Sequence, residues 1–270
     1  MSARGNLLLL WICNAVSDAE AALRAGIDWI FVDIETRGKT ARQPTTSFIS
    51  DHKLGDVEAI KTALPDARIV LRVNPLYEGT LGEVDKAVDY GADALMLPMF
   101  SSVDELNRVS DLIRARAQFW PLIETPGACR LMTEADIDSL GLDRVHFGLN
   151  DLHLALDYRF MFSPLLDSRV TDALYSVKAA GIPFGLGGVS KLNRGALLGS
   201  DVLHLNFLLG SSAVILSQEF RRNLEVGSLG PSVAALREYW SGLSECDQVD
   251  VNPSLTDIYE KIRDLELSMV

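Results

Sequence analysis

FWPLIETPGA (residues 119–128) and, one unit later, VHFGLNDLH (residues 145–153) each join a short apolar run to a single carboxylate, Glu124 or Asp151. A proline, a glycine or an asparagine stands near each acid. A buried strand that delivers a carboxylate to a turn is costly unless a cation or a proton compensates the charge. Two such strand ends in consecutive units predict a metal site.

The rest of the chain repeats the same alternation of short apolar runs and amphipathic helical patterns. The predicted strands are residues 7–12, 28–34, 68–73, 93–97, 119–123, 143–147, 182–186 and 201–205. The predicted helices between them include residues 17–26, 57–64, 81–91, 102–115 and 170–181. Apolar strands separated by helices indicate a parallel sheet covered on both faces. No glycine-rich phosphate turn follows the first strand, so the pattern favours an α/β fold of the (β/α)8 TIM barrel type over a doubly wound sheet.

The length and composition fit one large domain with an extension. With 270 residues, 48% of them hydrophobic, the chain can bury the core of a single barrel. We predict a catalytic barrel over residues 1–224 and a C-terminal helical extension over residues 225–270. The extension either belongs to the same domain or packs on a neighbouring subunit. Residues 35–54 form a long polar loop, and loops of that length are usually functional or disordered.

The charge and the cysteines exclude several classes of function. A net charge of −12 without any long basic run argues against nucleic acid or an anionic membrane as the principal partner. The three cysteines are widely spaced and form no CxxC motif, which favours a reducing compartment over a zinc knuckle or disulfides. No apolar run reaches transmembrane length. We therefore expect a cytoplasmic protein that acts on a small molecule.

In barrel enzymes the site lies where the strands end at their carboxyl termini. The polar residues and glycines that the pattern predicts there are Asp33, Glu35, Arg72, Asn74, Glu124, Asn150, Asp151, Gly185, Gly187, Gly188 and Asn206. Neighbouring strands lie about 5 Å apart, so Glu124 and Asp151 could share one Mg²⁺ or Mn²⁺ with waters and substrate oxygens. The alternative is that each acid only caps a helix or lies on a surface loop.

Arg72 and the GLGG segment each allow two interpretations. Arg72 either binds a carboxylate or keto oxygen or forms a structural ion pair with Asp33 or Glu35, and both can hold at once. The glycines around Gly187 either let backbone amides approach an anion or only allow close packing.

Two histidines are candidates for general acid–base work, because an imidazole titrates near neutral pH. His52 lies in the long loop and His153 follows Asp151, and for both a solvated or capping role is equally open. His146 and His204 lie in predicted apolar strands, where we expect them to satisfy local hydrogen bonds.

Five segments, DWIFVDIET, LRVNP, GADALMLPM, PLIETPGA and FGLNDLHLAL, resemble the HpcH/HpaI aldolase/citrate lyase family in order and spacing. Members are barrels of the phosphoenolpyruvate/pyruvate superfamily. The resemblance implies that Glu124 and Asp151 bind the divalent metal, that Arg72 contacts the keto or carboxylate group, and that the backbone around Asn150 and Asp151 receives the carboxylate. It also implies reversible carbon–carbon bond cleavage through a metal-bound enolate of pyruvate or a related α-keto acid, with an aldehyde as the second partner. The family habit and the C-terminal extension imply a homo-oligomer, either a dimer, a trimer or a hexamer.

The sequence departs from the aldolases of that family at two positions. Thr36 follows the Asp33 and Glu35 pair where those aldolases have a histidine, and Leu122 replaces a glutamine. The pair without histidine is closer to the citrate lyase β-subunit and malyl-CoA lyase branch, although no CoA-binding signature is present. His52 is the obvious substitute base, with water held by the cation as the alternative.

The polar loop after the second strand also supplies Lys39 and Arg42 as candidate substrate contacts, and Gly187 is a further one. Two other functions stay open at this point. One is a catalytically silent barrel that binds a keto acid. The other is a phosphoenolpyruvate- or phosphonate-transforming relative, for which the loop cations and the GLGG turn would have to hold the phosphate.

Overall fold

The computed structural model describes residues 6–38, 51–222, 224, 227–245 and 253–269. Lys39 and Arg42, the two predicted loop contacts, lie outside the described residues. The strand segments of the described chain are all parallel, and they are β1 Leu8–Ile12, β2 Trp29–Asp33, β3 Ile69–Arg72, β4 Ala94–Met96, β5 Gln118–Phe119, β6 Leu122–Ile123, β7 Val145–Phe147, β8 Phe184–Val189 and β9 Ala213–Leu216. They pair in the order β5-β4-β3-β2-β1-β9-β8-β7-β6.

Helices connect and cover these strands. They are α1 Val16–Arg24, α2 Leu54–Ala63, α3 Thr80–Asp89, α4 Val103–Ile113, α5 Pro126–Glu134, α6 Leu149–Ala155, α7 Ser168–Ala179, α8 Gly199–Leu209, α9 Gln218–Arg222, α10 Leu229–Glu245 and α11 Leu255–Ser268, with 3-10 turns at Ile137–Leu140 and Ser163–Leu166. Thr125 begins α5, because its side chain accepts a hydrogen bond from the Ala128 N–H and Pro126 fits the first helical position. None of the described helices is both long and apolar enough to cross a membrane.

The sheet closes into a barrel at the broken strand formed by β5 and β6. Trp120 N–H donates to Leu95 O of β4 at 2.8 Å, and His146 N–H of β7 donates to Pro121 O at 3.0 Å. Pro121 has no N–H, so the strand is interrupted between its two halves. The two halves occupy one position between β4 and β7, which gives eight strand positions. The prediction of a (β/α)8 barrel with C-terminal helices is confirmed.

The core has two layers, one inside the barrel and one between the strands and the helices. The interior is filled by residues that face inward from alternate positions, namely Leu10, Trp29, Phe31, Val70, Ala94, Met96, Trp120, Leu122 and Ala213. The rings of Trp29 and Trp120 lie 4.6 Å apart between centroids. This filled interior forms the floor on which the site at the carboxyl ends of the strands rests.

The eighth predicted strand, residues 201–205, was wrong. These residues lie in α8, and the eighth strand position is β9, Ala213–Leu216. A run such as DVLHLNFLL is apolar on all sides, and such a run does not distinguish a buried helix from a buried strand. Asn206 therefore does not lie at a strand end. It is fully buried in α8, where its amide donates to Val202 O at 2.9 Å.

The C-terminal helices contact the barrel itself. Arg237 of α10 forms an ion pair of 2.6 Å with Asp28, before β2, and donates to the Gly26 carbonyl at 2.8 Å. Lys261 of α11 lies 2.9 Å from both carboxylate oxygens of Asp201 in α8. The extension thus covers two parts of the barrel, its amino-terminal end and the outer face of α8.

Candidate active site

A cavity of about 710 Å³ opens at the carboxyl ends of the strands. Seven of the residues predicted at the site line it, namely Asp33, Arg72, Glu124, Asn150, Asp151, Gly187 and Gly188. They come from five different strand positions and the turns that follow them. The barrel therefore brings together side chains that are more than one hundred residues apart in the sequence.

Glu124 and Asp151 lie side by side at this cavity. Glu124 follows β6 and is 1% exposed, and Asp151 lies in the first turn of α6 with 8% exposed. The sequence pattern predicts Asp151 at a strand end, but this is wrong, because β7 ends at Phe147. Asp151 instead lies in the first turn of the next helix, where the helix dipole favours a negative charge. Burial is the largest cause that raises the pKa of Glu124 well above its ordinary value. Arg72 opposes the rise, whereas Asp151, through its charge and a hydrogen bond, adds to it.

The backbone fixes the orientation of Glu124. Met99 N–H donates to Oε1 at 3.1 Å, and Met99 adopts a left-handed backbone with φ of 54°. Such strain in a residue other than glycine costs roughly 1–3 kcal/mol and is concentrated at functional sites. On the other side, a Cβ at Gly148 would lie 2.9 Å from Glu124 Cβ and 3.1 Å from Oε2. The absence of a side chain at Gly148 therefore makes room for the carboxylate.

The donor set of this site fits a divalent cation. Mg²⁺ is usually held by one or two carboxylates, with waters and substrate oxygens completing its shell. Two adjoining buried carboxylates repel each other unless they share a proton or bind a cation. The raised pKa of Glu124 is consistent with this, because burial and the neighbouring Asp151 both disfavour its charged form. Within the described ranges, no group of three or more His, Cys, Asp or Glu residues could hold a metal. Any cation at Glu124 and Asp151 would thus depend on ligand or water oxygens as well.

Arg72 is held by the two acids of the β2 end. Its Nε and Nη2 donate to the two oxygens of Asp33 at 2.8 and 2.7 Å, and Glu35 Oε2 lies 3.4 Å from Nε. Burial opposes the charge, but Asp33, Glu35 and Glu124 together raise the pKa of Arg72. The Arg72 side chain also lines the cavity. The ion pair and a ligand-binding role are therefore compatible.

The structure places His52 behind the Asp33 backbone. Its Nδ1 accepts a hydrogen bond from Asp33 N–H at 3.0 Å, so the neutral ring carries its proton on Nε2. Burial lowers the pKa of His52, although Asp33 and other acids act in the opposite direction. His52 is not among the described residues that line the cavity. Asn74 also holds this loop, because its Oδ1 accepts from the backbone N–H groups of Thr36 and Arg37.

The GLGG segment surrounds His146. Gly187 O lies 3.1 Å from His146 Nε2, and a Cβ at Gly185 would lie only 2.2 Å from His146 Nδ1. Burial lowers the pKa of His146 to about 4, so the ring is neutral at pH 7. The glycine at position 185 is required for packing, whereas Gly187, with φ of +57°, lines the cavity.

His153, His204, Cys13 and Cys129 are not among the described residues that line the cavity. His204 is in α8, not in a strand, and His153 is in α6; the Nδ1 atom of each is buried without a partner among the described residues. Cys13 and Cys129 are buried free thiols, and burial raises the pKa of both to about 12. Cys246 lies outside the described residues.

Sequence reasoning missed two parts of the cavity wall. One is the aromatic segment Phe160, Met161 and Phe162, and the other is residues 217–222 after β9. Apolar loop residues carry no signal of their own in a single sequence. The wrong eighth strand also concealed the second segment, because the observed strand ends eleven residues later, at Leu216.

The model of the HpcH/HpaI aldolase/citrate lyase family matches residues 8–182. No curated protein matches the sequence significantly.

Several solved structures are similar over most of the chain. A HpcH/HpaI aldolase/citrate lyase family protein from Burkholderia cenocepacia J2315 has a TM-score of 0.62 and 17% identity, and the match covers 90% of this chain and 96% of that one. The HpcH/HpaI aldolase from Desulfitobacterium hafniense DCB-2 has a TM-score of 0.57 and 14% identity, over 92% and 96%. The citrate synthase SbnG has a TM-score of 0.59 and 14% identity, over 86% and 94%. At these identities the likeness shows the fold alone.

Proposed function

Because the chain belongs to the HpcH/HpaI aldolase/citrate lyase family, we propose that it is a divalent-metal-dependent carbon–carbon lyase that releases pyruvate or a related α-keto acid. The family consists of lyases and aldolases, and the pairing of Glu124 with Asp151 at the cavity is the observation that supports this choice most directly. Glu124 and Asp151 would hold Mg²⁺ or Mn²⁺. The bound cation would supply a Lewis acid for the negative charge that develops as the carbon–carbon bond breaks.

The protein's own groups orient the keto acid. Arg72 is fixed by Asp33 and Glu35 and lines the cavity, where its guanidinium can donate to the keto or carboxylate oxygen of the ligand. The backbone at Asn150 and Asp151 would receive the carboxylate. Asp33 and Glu35 act through Arg72, because they hold its planar group in one orientation.

Cleavage of a hydroxy-keto acid requires two proton movements. The hydroxyl proton leaves as the carbon–carbon bond breaks, and the aldehyde departs. The electron pair stays on the keto-acid fragment, which then takes up a proton at carbon. We propose that His52 transfers the proton, for which its ring would have to release the Asp33 amide from Nδ1 and turn towards the cavity that it does not line in this structure. The apolar residues Phe160 and Phe162 exclude water from the reacting atoms.

Proton NMR of pyruvate in D₂O tests this function. The methyl signal should disappear in the presence of the protein with Mg²⁺ or Mn²⁺ and should persist with EDTA. Glu124→Gln should abolish the exchange, whereas Glu134→Gln, an exposed acid at the end of α5, should not change it. No exchange with either metal in the wild-type protein would contradict the proposal and favour a barrel that binds a keto acid without turning it over.

The expected assembly is also a proposal. We propose a cytoplasmic homo-oligomer, from the family habit of assembly and from the free thiols of Cys13 and Cys129, which favour a reducing compartment. Light scattering coupled to size-exclusion chromatography measures the assembly, and a monomer of 29.6 kDa at micromolar concentration would contradict it.

A further inference from the structure

One carboxylate of the C-terminal helix binds a loop of the active-site cavity. Glu266 of α11 accepts hydrogen bonds from Phe160 N–H at 2.8 Å, from Arg159 N–H at 3.0 Å and from the Ser163 hydroxyl at 2.7 Å. Burial opposes the negative charge, but these hydrogen bonds lower the pKa of Glu266. The contact joins residues that are more than one hundred positions apart in the sequence.

The loop that Glu266 binds extends from Arg159 to Ser163. It follows Asp157, which has a left-handed backbone with φ of +61°, and it leads into the 3-10 turn Ser163–Leu166. The N–H groups of Arg159 and Phe160 donate to Glu266, and without it they would lose these partners. Glu266 therefore orients the backbone that carries the Phe160 side chain.

The same loop forms the apolar wall of the cavity beside Asp151. Phe160 and Phe162 are both 5% exposed, and their ring centroids lie 5.6 Å apart. A Cβ at Gly187 would lie 3.7 Å from the Phe162 ring and 3.0 Å from Leu149 in the first turn of α6. The aromatic wall therefore adjoins the turn that carries Asp151.

The cavity has room for more than the keto acid. Its volume of about 710 Å³ lies in the range of pockets that enclose drug-sized ligands, well above the need of a three-carbon acid. The second fragment of the reaction has to occupy the space next to the first. In this cavity the neighbouring surface is the wall of Phe160, Met161 and Phe162, with Leu197 also among the lining residues.

We propose that Glu266 is a positioning residue for acceptor specificity, and that the wall it fixes selects an apolar, aromatic-sized aldehyde. This inference rests on the proposed lyase function. The helix that carries Glu266 has its own anchors, since Ile258 and Ile262 are fully buried and Lys261 pairs with Asp201. Loss of the carboxylate should therefore loosen the wall without detaching the helix.

The test separates the two halves of the reaction. Exchange of the pyruvate methyl protons in D₂O needs no acceptor, whereas aldol addition to benzaldehyde or to glyoxylate reports acceptor selectivity. We expect the wild-type protein to prefer benzaldehyde. Glu266→Ala should lower kcat/KM for benzaldehyde about tenfold, mainly through KM, and should leave both the exchange rate and the glyoxylate reaction unchanged.

Three further variants complete the design. Glu266→Gln, which keeps an acceptor oxygen, should lose less than Glu266→Ala, and Asp264→Ala, an exposed acid of the same helix, should behave as wild type. Phe162→Ala tests the wall directly and should reproduce the loss for benzaldehyde even if Glu266→Ala folds poorly. Circular dichroism checks the fold of each variant.

The outcomes are distinct. Exchange in the wild-type protein with unchanged acceptor preference in Glu266→Ala and Phe162→Ala would overturn this inference alone, as would a wild-type preference for glyoxylate. Absence of exchange in the wild-type protein would overturn the proposed function and this inference with it.

Discussion

Asp33→Asn should destabilise the protein strongly, because it removes the charge that balances a buried arginine. The side chains of Arg72 and Asp33 are only 15% and 6% exposed, and two hydrogen bonds of 2.8 and 2.7 Å join them. Breaking a buried ion pair by removing one partner costs roughly 3–5 kcal/mol. Asparagine keeps one acceptor oxygen, and Glu35 remains 3.4 Å from Arg72 Nε. We therefore expect the free energy of unfolding to fall by about 3 kcal/mol, the lower end of that range.

Urea unfolding at pH 7, followed by circular dichroism, measures this loss. The chain offers a matched control in Arg116 and Asp85, which form an ion pair of the same 2.7 Å length with side chains 36% and 46% exposed. Asp85→Asn should cost less than about 1 kcal/mol, because exposed ion pairs contribute little. Equal slopes against urea in all variants would show that the change lies in stability and not in the extent of unfolding.

A double variant isolates the interaction between the two side chains. Arg72→Met removes the positive charge, so that Asp33→Asn in the same chain leaves no buried arginine without its partner. The combined loss should be smaller than the sum of the two single losses by about 1–3 kcal/mol. Two outcomes would refute the view that the Asp33 carboxylate neutralises the buried charge of Arg72. One is a loss of unfolding free energy in the double variant equal to the sum of the single losses, and the other is a loss below about 1 kcal/mol for Asp33→Asn alone.

Three other predictions concern the glycine segment and the two histidines near the site. Gly185→Ala should lower the free energy of unfolding by about 3 kcal/mol, because its Cβ would lie 2.2 Å from His146 Nδ1. Gly55→Ala, with open space around its Cβ, should cause no loss in the same urea assay. Equal losses in the two variants would contradict the packing argument. Burial lowers the pKa of His146 from 6.5 to about 4, so its contribution to stability is complete above pH 6.5 and is lost as the pH falls towards 4. That loss is about 3 kcal/mol, and urea unfolding of His146→Gln should show a smaller decrease between pH 7 and pH 4.5 than the wild-type protein. His52→Gln should slow pyruvate proton exchange about 100-fold if His52 transfers the proton. Because burial lowers the pKa of His52, the exchange rate of the wild-type protein should stay high to below pH 6.5. An unchanged exchange rate in His52→Gln would show that His52 only holds the Asp33 backbone.

Much of the barrel could be predicted from the sequence, because its elements differ in local pattern. The first seven predicted strands overlap the observed segments, and Gly26, Gly91 and Gly181 all follow helices with positive φ, as expected for helix ends. Prediction failed at residues 201–205, where an apolar run forms the buried helix α8. A run that is apolar on every side has no periodicity to separate the two structures.

Residues of the candidate site were predictable only where a charged side chain stands at the end of an apolar strand. Glu124 and Arg72 were recognisable because a charged side chain at the end of an apolar run needs a partner. Met99 was not, because its contribution to the site is a backbone N–H aimed at Glu124 by a left-handed conformation. Phe160 and Phe162 were not, because apolar residues in a loop look the same whether they line a cavity or cover a core.

The sequence by itself determined the alternation of strands and helices, the family, and the placing of one acid in the turn after each of two successive strands, Glu124 and Asp151. These are local properties, since periodicity and the residue at a strand end can be read within a few positions. Only the tertiary structure decided that Arg72 pairs with Asp33, that His52 holds the backbone of β2, and that Glu266 reaches the cavity wall. Those contacts depend on which elements become neighbours once the barrel has closed. The number of residues between two positions in the sequence does not reveal how far apart they lie in the folded barrel.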